Sequence, residues 1–109
     1  MAYEIKIMLG ALVFETSDSK RYAIATLMAS NYKLRVRGGN TDNTQQLGSD
    51  IAEDDLNTRE AVSVIMMALG IPHDEDVWCE ILDTLQIHAS KRIMVHDVRY
   101  VGIYNLVIV

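Results

Sequence analysis

Tyr3, Ile5 and Ile7 alternate with Glu4 and Lys6, and the chain then turns apolar on both sides as far as Val13. A period of two marks a β-strand, and its passage into an all-apolar run is what a strand shows on entering a sheet interior. One strand is therefore expected over residues 3–13. Residues 16–20, "TSDSK", form a turn or helix-start cluster. Two periods then compete over residues 21–31. Ile24, Leu27 and Met28 are spaced for one helical face, and the neighbouring alanines favour helix. Tyr22, Ile24, Thr26 and Met28 also alternate, so a strand is the competing reading; the helix is preferred.

"YKLRVR" has the clearest alternation, with Tyr32, Leu34 and Val36 inward and Lys33, Arg35 and Arg37 outward, as in a strand with one wet face. It is expected to end at the turn residues Gly38, Gly39 and Asn40. Residues 38–57 then read as a long polar loop. Helix signals follow: Asn57 or Thr58 as a cap, Glu60 three residues after Asn57, and Val62, Ile65, Met66 and Leu69 on one face. Gly70 and Pro72 supply a stop. The run is β-branched and apolar all round, so a buried strand over 61–71 is the rival. Residues 73–88 give the best helix: Asp74, Glu75 and Asp76 suit the positive end of its dipole, and Trp78, Ile81, Leu82 and Leu85 share a face. Residues 91–109 are β-branched and aromatic almost throughout, and too long for one typical strand. A bend near His96-Asp97 or at Gly102 would make two.

The chain of 109 residues thus reads as a single α+β domain, with a mainly antiparallel two-layer sheet packed by two or three helices. If residues 61–71 are a strand, the order becomes βαββαβ, the ferredoxin-like arrangement.

Half the residues are hydrophobic and 23% charged, which fits a folded domain with its own core. One cysteine, Cys79, allows no internal disulfide and points to a reducing, cytoplasmic compartment. No apolar run is long enough for a membrane span, and the N-terminal stretch, broken by Glu4 and Lys6, reads as a strand rather than a signal peptide. The net charge of −5 is unevenly distributed: residues 1–37 sum to +3, residues 38–90 to −10, and residues 91–109 to +2. The bland explanation of the acidic middle is a solvated surface that aids solubility.

The stretch "IPHDEDVWCEILDTLQIHASKRIMVHDVR", residues 71–99, resembles the last helix and strand of the PII family of nitrogen-regulatory proteins, in which a long loop also follows the second strand. The resemblance implies a ligand-sensing oligomer with residues 38–57 as its switch. "HASKR", residues 88–92, stands where that family needs a Gly-Lys-rich turn, so no ATP site is carried over.

Other chemistries are weakly supported. Gly38 and Gly39 beside Arg35 and Arg37 form a candidate anion-binding turn, through backbone N–H groups and guanidinium forks. No GxGxxG or Walker pattern accompanies them. Asp50, Glu53, Asp54 and Asp55 lack the glycine spacing of a calcium loop. Cys79, His73, His88 and His96 show no zinc-site spacing, and Cys79 beside Trp78 reads as a core residue. No nucleophile elbow is present. A helix-turn-helix around "GIPH" is disfavoured because the second helix carries Asp74, Glu75, Asp76, Glu80 and Asp83 and no cation, which phosphates would repel.

These features point to a non-enzymatic, cofactor-free protein that contacts or inhibits a basic, nucleic-acid-handling protein partner. The contact surface expected comprises Asp42, Asp50, Glu53, Asp54, Asp55, Asp74, Glu75, Asp76 and Glu80. The small size and the charge raise the expectation of a phage or mobile-element origin. The uncharged C-terminal "YVGIYNLVIV" is hazardous at a sheet edge unless paired, so a homo-oligomer, most simply a dimer, is expected.

Overall fold

Gly10, with a φ of 82°, turns the chain back on itself. The single strand expected over residues 3–13 is therefore a hairpin of β1 (Tyr3–Met8) and β2 (Ala11–Thr16), with Ile5 opposite Phe14 and Ile7 opposite Leu12. A left-handed residue at a tight turn is something glycine supplies at no steric cost. These coordinates are a computed structural model that describes residues 3–8, 10–28, 33–41, 50–90 and 106–108.

The residues read as a helix over 21–31 instead contain β3 (Arg21–Leu27), joined to β2 through the expected 16–20 turn. Thr16 and Asp18 organise that turn: the Thr16 hydroxyl donates to the Asp18 carboxylate (2.7 Å) and accepts from the Arg21 N–H (3.1 Å). Ala23 and Ala25 misled the reading. They are fully buried in a strand that pairs on both sides, and their small size serves the approach of a helix rather than the formation of one.

β4 (Leu34–Asn40) runs through Gly38 and Gly39, which are strand residues and not a turn. It pairs with β5 (Ile51–Leu56), so the segment expected to be a polar loop from 38 to 57 is largely two strands and their connection. Residues 42–49 within it lie outside the described residues. β5 escaped notice because it is polar: Ala52, Glu53, Asp54 and Asp55 are all exposed. Its register against β4 breaks between Leu34 and Val36, where Asp55 adopts a φ of 58°.

Helix wins over strand in the next segment, α1 (Thr58–Leu69), because both ends are locally specified. Asn57 accepts from the Glu60 N–H (2.9 Å) while the Glu60 carboxylate accepts from the Asn57 N–H (3.1 Å), a complete capping box. Gly70 closes the other end at a φ of 68°. α2 (Glu75–Ser90) follows after a short connection, and β6 (Leu106–Ile108) runs parallel to β1. Of the strands expected over 91–109, only β6 falls within the described residues.

The strand order is β5-β4-β3-β2-β1-β6, antiparallel except for the β1–β6 pair. The fold is α+β with a predominantly antiparallel sheet, as expected. Among the described residues five strands precede both helices, so the ferredoxin-like βαββαβ option is not confirmed. One sheet face presents Ile5, Ile7, Leu12, Phe14, Ala23, Ala25, Leu34 and Val36 to the helices. α1 answers with Ala61, Val62, Ile65, Ala68 and Leu69, and α2 with Val77, Ile81 and Leu85. Among the described residues, no helix is long and apolar enough to cross a membrane.

α1 crosses the sheet at Gly38. A Cβ there would lie 2.5 Å from the Tyr22 carbonyl oxygen, 2.8 Å from the Ala68 Cβ and 3.0 Å from the Ala23 Cα. Two of these atoms belong to backbone and cannot swing away. Arg21, at the start of β3, donates from Nε to the Ala68 carbonyl (2.6 Å), which ties the last turn of α1 to the same place. Gly38→Ala is expected to destabilise the fold by about 2 kcal/mol, within the range for overpacked cores. Urea denaturation measures this. Ala68→Gly in the same chain should recover only part of the loss, because the backbone clash with Tyr22 persists.

Candidate functional site

The alternation of β4 sends Leu34 and Val36 under α1 and turns Arg35 and Arg37 to the helix-free face of the sheet. The break in β5 brings Asp54 to that same face. Its Oδ1 accepts from Arg35 Nε at 2.9 Å and lies 3.1 Å from Arg37 Nη2. The hydrogen bond from Arg35, reinforced by Arg37, holds the Asp54 carboxyl below the usual carboxylate range. The two arginines of the candidate anion site thus share an anion from their own chain. Gly38 and Gly39 do not cradle a ligand here. Gly38 admits α1, and Gly39, at a φ of 136°, leaves room for Asp50, whose Oδ2 accepts from the Asn40 N–H (3.1 Å).

The acidic residues expected to form one surface fall into separate groups. Glu53, Asp54 and Asp55 lie on β5, with Asp50 just ahead of it, and Asp54 faces away from the helices. Asp74, Glu75, Asp76 and Glu80 lie in the helical layer, around the start of α2. Asp42 is outside the described residues. Strand parity and the β5 bulge, neither of which composition reveals, turn Asp54 from the helices, whereas Glu53, opposite Val36, keeps helix-side parity at the sheet edge. The division also redistributes charge. Residues 57–90 hold six carboxylates against Arg59 alone, a net −5 equal to that of the whole chain, while the remaining residues balance.

The start of α2 is built by its own acids. Asp74 accepts from the Val77 N–H through Oδ1 (3.1 Å) and from the Trp78 N–H through its backbone oxygen (2.9 Å). Asp74, Glu75 and Asp76 are all exposed. Glu75 and Trp78 are one helical turn apart and share a face. Beside them α1 and α2 leave an open groove of about 240 Å³, lined by Ser63, Met66, Met67, Ile71, His73 and Trp78. The His73 and Trp78 rings meet at 6.2 Å and 51°, and His73 Nε2 lies 3.5 Å from the Glu75 carboxylate. Met67 projects from α1 with 64% of its surface exposed. Pattern reading placed Trp78 and Met66 on helical core faces and did not find this groove, which exists only because of how the two helices cross.

The histidine and cysteine candidates do not converge. Cys79, expected in the core, is exposed. His73 is at the groove mouth, and His96 lies outside the described residues. Among the described residues, no three His, Cys, Asp or Glu side chains are grouped for a metal ion. His88 is a core residue, 1% exposed, spaced with Ile81 and Leu85 along the buried stripe of α2. Its Nε2 donates to the Gly10 carbonyl at 3.1 Å, which fastens the far end of α2 to the β1–β2 turn. Nδ1 has no hydrogen-bond partner among the described residues. Burial pushes the imidazole below its ordinary value of 6.5, and the Gly10 bond offsets this only in part. The unfolded chain therefore binds a proton at higher pH than the folded one, and stability falls as pH drops below about 6.5. His88→Leu should show a smaller loss of urea resistance between pH 7 and pH 5 than the wild type. Equal losses would remove His88 as the source.

Against models of known protein families, curated proteins and solved structures, the chain gives no match.

Proposed function

We propose that the chain is a non-enzymatic protein-binding module whose helical layer docks onto a basic partner surface, of the type found on proteins that handle nucleic acid. The observation that carries this reading is the placement of charge. The net −5 of the molecule is that of the segment containing α1 and α2, and at the start of α2 three successive carboxylates are exposed. On β4 and β5, by contrast, Asp54 is engaged by Arg35 and Arg37. Opposite potentials speed encounter and fix orientation more than they add raw affinity, so the partner is expected to bind fast and in a salt-sensitive manner. The contact surface of this reading is narrower than the sequence implied. Asp74, Glu75, Asp76 and Glu80 form it, and the β5 carboxylates do not.

The ligand-sensing alternative has less behind it. The described residues do not follow its ferredoxin-like order, and the groove is smaller than the ~300–1,000 Å³ of clefts that take drug-sized ligands.

Affinity capture from lysate tests the proposal. A triple variant, Asp74→Asn, Glu75→Gln and Asp76→Asn, keeps a capping side chain at position 74 and removes the charge. It should lose the partner that the wild type retains at low salt, and high salt should release that partner from the wild type. A control carrying Glu53→Gln and Asp55→Asn should keep it. Retention by the triple variant, or indifference to salt, would overturn the electrostatic account.

A further inference from the structure

We propose that the groove between α1 and α2 is an anchor site for one apolar side chain, aromatic or long aliphatic, presented by a segment rich in Lys and Arg. The inference rests on the helical layer being the partner-facing side, and it names what that side grips.

The groove combines an apolar floor with an acidic rim. Met66 and Ile71 are buried at its base, Trp78 forms a half-buried wall, and Met67 stands exposed at the edge. Methionine is unbranched and polarisable, and it reshapes around whatever it meets. Exposed methionine beside tryptophan is thus a surface suited to an incoming hydrophobic side chain. At about 240 Å³ the space holds a side chain rather than a cofactor.

Charge then selects which apolar segment enters. Glu75 reaches His73 at the mouth and lies one turn before Trp78 on the same face of α2, and the exposed Asp74, which caps the helix, precedes it in the chain. A residue seated against Trp78 has its chain neighbours beside these carboxylates. Lys or Arg there meets opposite charge, and a guanidinium or ammonium over the indole face gains further attraction. Acidic neighbours are repelled by the same groups. A basic segment with an apolar anchor is complementary to both features, whereas an uncharged apolar segment uses only the floor.

Trp78 is the only tryptophan of the chain, so its emission reports on the groove directly. The probe is a short fluorescein-labelled peptide with a single Phe flanked by Lys-Arg pairs. Its binding is followed by fluorescein anisotropy, and the unlabelled peptide is used to follow Trp78 emission. The wild type should bind the probe with a blue shift of Trp78. Replacing the probe's Phe by Ala should weaken binding roughly tenfold or more, as expected for losing a buried apolar side chain. Met67→Gln alters an exposed position without changing charge, so the fold is retained; it should weaken binding through the lost apolar contact.

Two failures are distinguishable. If the probe binds in a salt-sensitive way but Trp78 does not respond, and Met67→Gln has no effect, the groove proposal falls while the acidic-surface reading stands. If the probe does not bind at all, both fall. If the wild type alone sediments as a dimer that Met67→Gln splits, a second copy occupies the groove and the peptide proposal is overturned.

Discussion

The close seating of α1 on the sheet is the constraint from which the rest of the arrangement follows. A helix lies this near to strands only where the facing residues carry almost no side chain. Ala23, Ala25 and Gly38 supply that floor on β3 and β4, and Ala61 and Ala68 supply the matching face of α1. Larger residues fill the periphery, where Ile5, Ile7, Leu12 and Phe14 meet the rest of the helical layer. Close packing of this kind gains dispersion contacts but leaves no slack, since protein interiors are as dense as organic crystals. The position of α1 fixes the crossing of α2, and that crossing shapes the groove around Trp78.

The same layering separates the electrostatics of the two faces. On the open face, cation and anion come from neighbouring strands and meet within the molecule. In the helical layer the carboxylates have Arg59 as their only counter-cation within the same segment. Local structure explains some of them. Glu60 completes the capping box, and Asp74 caps α2. Glu75 and Asp76 suit the helix dipole without being required by any hydrogen bond of the helix start.

The sequence spoke most clearly where a local signal and a periodic pattern agreed. Asn57 with Glu60, Gly70, and the Val62–Ile65–Leu69 face defined α1; the alternation from Tyr32 to Arg37 defined most of β4. It misled where one residue type serves two physical purposes. Alanine raises helix propensity and also permits a helix to approach a strand, and the second use governs Ala23 and Ala25. Glycine ends strands and also admits close neighbours, and the second governs Gly38. β5 was invisible because an edge strand can pair through its backbone while its side chains stay polar. The carboxylates of the candidate surface were identifiable as residues, but their faces depended on the β5 bulge, which flips parity without a clear mark in composition. The groove depended on two helices meeting and had no local signature.

The irregularity at Asp55 shapes what the sheet can accept from outside. Beyond β5, a newcomer would find a kinked backbone with broken spacing of donors and acceptors, flanked by exposed Glu53 and Asp55. Regular ladder pairing fails against such a rim, and a strand bearing negative charge is turned away as well. Extension of the sheet is thereby disfavoured beside β5, the strand that ends the sheet order next to β4.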